Sequence, residues 1–166
     1  YGSQLVHKST NKGDTWEIIS PDLTTNNPDK QKQHDSGGLT MDATGAENHC
    51  TIISIAPSPA KTGVLWVATD DGNVQVTQDG GKTWTNVAPS ITGMPKNAWI
   101  PQIHPSKTNP GEAFVVVNNY RQFDYKPYLF RTKDFGKTWE SLVTPAQVGE
   151  SNYILSVVQD TAEPKL

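Results

Sequence analysis

Cysteine, arginine and long apolar runs are what this 166-residue chain has least of, and each scarcity closes a route. A single cysteine, Cys50, allows no internal disulfide and no cysteine-based metal site. At the start of an apolar run it reads as a buried thiol. Arginine occurs only as Arg121 and Arg131, too few for a phosphate-clamping surface. No stretch approaches the roughly 20 apolar residues of a membrane helix. A net charge of −3 gives no basis for expecting nucleic acid as a partner. Leu, Ile, Val and Phe together number 34, near the floor for folded chains. The low charge and regular Trp spacing nevertheless argue for a folded chain the size of one domain.

Turn formers are abundant, with 13 Gly and 12 Pro, and one octad recurs three times. Ser9-Thr10-Asn11-Lys12-Gly13-Asp14-Thr15-Trp16 comes first, Thr77-Gln78-Asp79-Gly80-Gly81-Lys82-Thr83-Trp84 second, and Thr132-Lys133-Asp134-Phe135-Gly136-Lys137-Thr138-Trp139 third. The shared pattern is [Ser/Thr]-x-[Asp/Asn]-x-Gly-x-Thr-Trp, and a repeat governs the fold wherever it occurs. The Asp or Asn side chain can bond backbone N–H groups further along and close a turn. Gly supplies a positive φ, Thr suits an outgoing strand, and Trp anchors the turn by burial. Asn11, Gly13, Trp16, Asp79, Gly81, Trp84, Asp134, Gly136 and Trp139 are therefore structural residues of three hairpin turns.

Short apolar runs set the remaining order. Residues 51–56, 64–69, 74–77 and 83–88 predict four strands, and 98–104, 113–118, 128–132 and 138–143 predict four more. No window has helical periodicity. The expected organisation is two outer strands in 1–20, whole four-stranded units in 50–88 and 97–143, and the first strand of another unit in 150–160. Residues 21–49 form a long polar connection, a length that is usually functional or mobile.

The octads resemble the Asp-box, or bacterial neuraminidase repeat, of sialidases, xyloglucanase-type glycosidases and sortilin-like receptors. Octad one departs by carrying Asn11 for Asp. Ser20-Pro21-Asp22-Leu23-Thr24-Thr25, Gly45-Ala46-Glu47-Asn48-His49 and Thr69-Asp70-Asp71-Gly72-Asn73-Val74 extend the likeness to sortilin-like propellers of large secreted bacterial proteins often labelled glycosyl hydrolases. The resemblance implies an all-β fold, a β-propeller segment of about two and a half to three four-stranded blades. It also implies a secreted, periplasmic or cell-surface bacterial protein. A propeller closes with at least about four blades, so the remaining blades of the same propeller or other chains are expected to complete the ring.

Several motifs fail on inspection. Gly81-Lys82-Thr83 and Gly136-Lys137-Thr138 lack the earlier Gly of a phosphate loop, where Val76 and Arg131 stand. Asp134-Phe135-Gly136 has no other kinase element around it. Ser9-x-x-Lys12 and Ser58-x-x-Lys61 lack the partners of serine–lysine enzymes. The spacing of His34, Asp35 and Asp42 matches no standard cation loop, so neither metal nor cofactor is expected.

Blade topology then directs attention away from the octads. They join the two outer strands at one end, so 21–50, 70–73, 89–97, 119–127 and 144–151 lie at the other, the ligand face in the resembling families. Two segments there carry chemistry. Glu47 and His49 read either as a general acid/base or metal-ligand pair near the axis, or as hydrogen-bonding residues that pin the long loop. Tyr120, Arg121, Phe123, Asp124 and Tyr125 read either as a stacking platform for sugar or peptide, or as a blade-covering loop. Asp70 and Asp71 are expected to cap a turn, and Trp66 and Trp99 to lie in the core. The leading function is a binding scaffold for peptide, protein or glycan. The alternative is part of a glycoside hydrolase, with Glu47, His49 and Asp124 as catalytic candidates and a carboxylate pair shared with other blades.

Overall fold

The turn chemistry repeated in sequence is repeated atom for atom in space. The computed structural model describes residues 1–31, 49–160 and 162. In each octad the carboxylate or amide oxygen at the third position accepts the backbone N–H four residues on: Asn11 from Thr15, Asp79 from Thr83 and Asp134 from Thr138, all at 2.9 Å. The first-position hydroxyl bonds the glycine N–H, from Gly13 to Ser9 at 2.8 Å and from Gly81 to Thr77 and Gly136 to Thr132 at 2.9 Å. Asn11 substitutes for Asp by turning its Nδ2 donor to Thr15 Oγ1, where Asp79 and Asp134 accept from the Thr83 and Thr138 hydroxyls. The residue before each glycine is left-handed as well: φ is 60° at Lys12, 77° at Gly80 and 60° at Phe135.

These turns close three antiparallel hairpins. The first octad joins β1 (His7–Lys8) to β2 (Glu17–Ile18) in a two-stranded sheet. The middle sheet runs β3 (Ile52–Pro57), β4 (Leu65–Thr69), β5 (Val74–Thr77), β6 (Thr85–Asn86) in chain order. The last runs β7 (Trp99–Pro105), β8 (Ala113–Asn119), β9 (Asp124–Thr132), β10 (Glu140–Ser141). Both are four-stranded meanders of blade type, with the octads between their third and fourth strands. The second and third octads also hold the first hairpin of their own sheets, through Gly80 N–H to Gly63 O and Phe135 N–H to Gly111 O, both 2.9 Å. One helical turn, α1 (Pro145–Val148), follows, with Thr144 and Gln147 forming a capping box.

The sheets pack face to face because neither can bury its apolar residues alone. Trp66, Ala68, Val74 and Val76 of the middle sheet meet Ile100, Ile103, Val115 and Val117 of the last, with Val87 and Ile91 of the connection between them. Each fully buried Val, Ile or Leu stabilises by about 1.5–3 kcal/mol. A second cluster, Val6, Leu23, Ile52 and Val67, joins β1–β2 to the middle sheet. The tryptophans of the second and third octads reach across these seams. Trp84 Nε1 donates to Ile19 O at 2.9 Å, and Trp139 stands edge-on to Trp66 at 6.4 Å between centroids. Trp16, in the first octad, is 53% exposed.

Two expectations require correction. The connection expected at 119–127 is shorter, because β9 begins at Asp124 rather than Tyr128. Pro127 is tolerated there since the β8–β9 register slips between Val117 and Asn119, leaving no ladder bond for it to break. Residues 152–160, expected to contain a strand, form no ladder; they are held beside β7 by the Gln102 side chain, which bonds Val157 N–H at 2.7 Å and Val157 O at 3.1 Å.

The glycines of the second and third octads lie against the segment or sheet that precedes them. A Cβ on Gly81 would stand 2.6 Å from Ile19 O, and one on Gly136 2.7 Å from Val87 Cβ, whereas one on Gly13 would meet only Trp16 at 3.6 Å. All three have positive φ, so alanine costs about 1–2 kcal/mol of backbone strain at each. Gly81→Ala and Gly136→Ala should lose clearly more stability than Gly13→Ala in denaturant unfolding. Equal losses would show that the packing across the seam contributes nothing.

Candidate functional site

At the end of the sheets opposite the octads, the connections converge on a cleft of about 220 Å³ lined by His49, Asp70, Asn97, Trp99, Asn118 and Arg121. Lys30, Asn119 and Gln122 complete its rim. Every lining residue lies in, or within a residue or two of, a connection that enters a first strand or joins a second strand to a third. The cleft is therefore a product of blade topology.

Each wall has a local cause. The β4–β5 turn places Asp70 and Asp71 side by side, and their environments drive them apart. Asp71 is 2% exposed, and its carboxylate accepts Thr69 Oγ1 together with the N–H and Oγ1 of Thr25, the latter two at 2.7 Å. Burial alone would raise its pKa, but the Thr69 and Thr25 hydrogen bonds outweigh it and hold it below the ordinary carboxylate value. The bond to Thr25 ties the segment after β2 to the middle sheet, and Asn73 and Gln75 add bonds to Leu23 O at 3.0 and 3.1 Å. That anchorage sets the course of the chain toward Lys30.

Asp70 behaves oppositely. Burial pushes its pKa up; the Thr51 N–H (2.8 Å), His49 and Arg121 pull it down and Asp71 pushes it up again, leaving it raised. His49 Nδ1 lies 3.7 Å from Asp70 Oδ2. Arg121, in the turn between β8 and β9, lays its guanidinium over the Trp99 ring at 5.0 Å. Tyr120 stands edge-on to Trp99 at 5.8 Å and tilted against Tyr153 at 5.7 Å. Left-handed backbone gathers here too, at Cys50, Asn97 and Phe123, and such strain collects at working sites.

The residues singled out from sequence are distributed as follows. His49 and Arg121 line one cleft, while Tyr120 backs it through Trp99. Phe123 is 86% and Tyr125 42% exposed, outside the cleft lining. Asp124 is committed to the β8–β9 hairpin: it accepts Tyr128 Oη at 2.6 Å, Asn119 Nδ2 at 3.1 Å and Lys126 N–H at 3.3 Å. Burial raises its pKa, but these bonds overcome that and leave it lowered; burial, with the bond to Asp124 and its charge, raises Tyr128 to about 12. Glu47, together with His34, Asp35 and Asp42, lies outside the described residues. No cluster of three or more metal-ligating side chains occurs among the described residues. Trp66 is fully buried as expected, whereas Trp99 is only half-buried and faces the cleft. Asn118 escaped sequence reasoning because an Asn ending a Val-Val-Val run reads as the end of a strand.

No protein-family profile matches the chain, and no curated protein matches it. Solved structures similar in fold include the following two. An ancestral GH74 enzyme aligns with a TM-score of 0.61 at 15% identity over 98% of this chain and 18% of its own. YCF48 bound to D1 peptide aligns with a TM-score of 0.50 at 18% identity, over 84% of this chain and 34% of its own. The chain thus spans about a fifth and a third of these structures, and the likeness establishes a segment of a β-propeller. No helix among the described residues is long and apolar enough to cross a membrane.

Asp71 supplies a test of how the cleft wall is held. Its lowered pKa means that its contribution is complete above the ordinary value of 3.8 and is lost as pH falls through the folded value. Asp71→Ala should cost about 3 kcal/mol at pH 7, since it strands buried donors on Thr25 and Thr69. Asp71→Asn should flatten the acid side of the stability profile. An unchanged profile would remove Asp71 from this role.

Proposed function

We propose that the chain is part of a ligand-binding scaffold, a sortilin-like Asp-box propeller of a secreted or cell-surface protein, whose working face is the end opposite the boxes. The observation that carries this reading is the makeup of the cleft. Among the described residues it holds two cations in no ion pair, Lys30 and Arg121, four side-chain amides, and one carboxylate, Asp70. That set binds a ligand by charge and hydrogen bonds; glycoside hydrolysis asks for two carboxylates flanking one bond. YCF48, of similar fold, is described bound to a peptide, which favours peptide over glycan. The exposed rings of Phe123 and Tyr125 at the rim extend the surface a ligand would cover.

The second reading keeps its own observation. Asp70 is buried with a raised pKa, the state of a general acid, and its carboxylate partner would come from blades outside this chain. Peptide and glycan arrays separate the two. Arg121→Ala and Tyr125→Ala should each weaken a captured ligand about tenfold, near 1.4 kcal/mol, without turnover of any glycan. Glycan hydrolysis that disappears in Asp70→Asn would establish the enzyme instead.

The edges support completion of a ring by other blades or other chains. Trp16 and Ile18 are 53% and 60% exposed at one edge, and Leu155 and Val158 are 64% and 81% exposed at the other. Surfaces of that kind mark missing neighbours. Sedimentation of the 166-residue chain should show self-association that grows with concentration. A monomer at every concentration would overturn the ring-completion proposal.

A further inference from the structure

The floor of the cleft carries an unmet demand. Asn118 is 1% exposed, yet neither Oδ1 nor Nδ2 has a hydrogen-bond partner among the described residues. Buried carboxamides are ordinarily paired, so an orphan of this kind asks for an explanation. Its setting has the marks of a built position. Asn118 pairs with Trp99 across the β7–β8 ladder, and the register slips beside it on both flanks, between Trp99 and Gln102 and between Val117 and Asn119. Irregularities of this sort re-aim side chains next to working sites. A second orphan shares the cleft: His49 Nε2 is buried and unpartnered, while Nδ1 of the same ring lies 3.7 Å from Asp70 Oδ2. With the ring proton on Nδ1 toward that carboxylate, Nε2 is an acceptor.

The unmet groups specify what would satisfy them. Asn118 offers a donor and an acceptor on one edge, and His49 adds another acceptor. A sugar ring would meet the Asn118 edge with its hydroxyls, but it also asks for a free aromatic face. Arg121 already covers the Trp99 ring at 5.0 Å, and Tyr120 occupies its edge. A trans peptide amide points its N–H and C=O in opposite directions and cannot pair with both Asn118 atoms. A primary carboxamide does: its oxygen and one N–H face Asn118, and its second N–H is free for His49 Nε2. Lys30 and Arg121 on the rim, neither in an ion pair among the described residues, add attraction for negative charge beside it.

We propose that the cleft receives the side-chain carboxamide of a glutamine or asparagine, borne on a peptide with acidic flanks and read by Asn118. This rests on the reading of the same face as a peptide-binding surface and goes further by naming the group bound and the residue that selects it.

The test uses two probes, an Asp-Gln-Asp tripeptide blocked as N-acetyl and N-methylamide, and its Asp-Glu-Asp counterpart, in which a carboxylate replaces the carboxamide. Titration is followed by nuclear magnetic resonance on the wild-type chain, Asn118→Leu and Arg121→Ala. The Asn118 side-chain NH2 signals are identified by their loss in the variant. Those signals should shift saturably with the glutamine peptide, and the glutamate peptide should bind at least tenfold more weakly. Asn118→Leu should weaken the glutamine peptide at least tenfold and raise Tm, because an apolar side chain of similar shape relieves the unpaired amide. Equal binding of the two peptides, lost in Arg121→Ala but untouched by Asn118→Leu, would overturn the carboxamide assignment and leave the peptide face standing. Binding of neither peptide would overturn both. A lower Tm in Asn118→Leu, or a long-lived water contacting the Asn118 NH2, would show the side chain already satisfied, and the assignment would fall.

Discussion

One hydrogen bond underlies this structure: the oxygen of Asn11, Asp79 or Asp134 accepting the N–H four residues on, at 2.9 Å in all three places. It closes a loop whose two central residues are left-handed, a conformation that two successive residues with side chains resist. In the second and third octads the shut turn carries a glycine against the sheet before it and a tryptophan across the same seam. A local bond inside eight residues thereby becomes the geometry that spaces neighbouring sheets. Asn11 shows that the negative charge is dispensable, because an amide oxygen accepts the same N–H and its nitrogen finds the Thr15 hydroxyl.

The division of labour between the two ends of the sheets follows from that placement. Within the octads the first-position hydroxyl, the third-position carboxylate or amide and the glycine N–H all have partners. Among the described residues, Ser58 Oγ and Trp66 Nε1 are buried without a partner as well as Asn118 and His49, but only the last two line the cleft, and the left-handed Cys50, Asn97 and Phe123 lie at the same end. A raised Asp70 and a lowered Asp71 sit one residue apart. The difference is the number of hydrogen bonds each receives, since both are buried.

Much of the fold was legible in the sequence because its signals are local. The octads, the alternation around them and the short runs 64–69 and 113–118 each report on a few consecutive residues. The start of β9 was not legible. Pro127 reads as a breaker in sequence, and only the slipped register beside it in three dimensions makes it harmless. The site was partly legible for the same reason. Topology pointed to the connections containing His49 and Arg121, but the rings of Tyr120 and Trp99 meet through tertiary packing that no spacing encodes. Asp124 looked reactive as an isolated acid, and its three partners are visible only once the hairpin is closed. Asn118 carried no signal at all, because what distinguishes it is the lack of a partner.

The bonds from Gly80 to Gly63 and from Phe135 to Gly111 clamp the two hairpins of each four-stranded sheet together at the octad end. At the far end they are joined by the turn from second strand to third, where Thr69 N–H donates to Asn73 O at 3.1 Å in the middle sheet, and the two ends are separated by the length of a strand, about 17 Å for five residues. At that distance substitutions add without coupling. Each blade is therefore fastened at both ends, and exposed residues of the far turns can be exchanged for a new ligand without loosening the octad clamp.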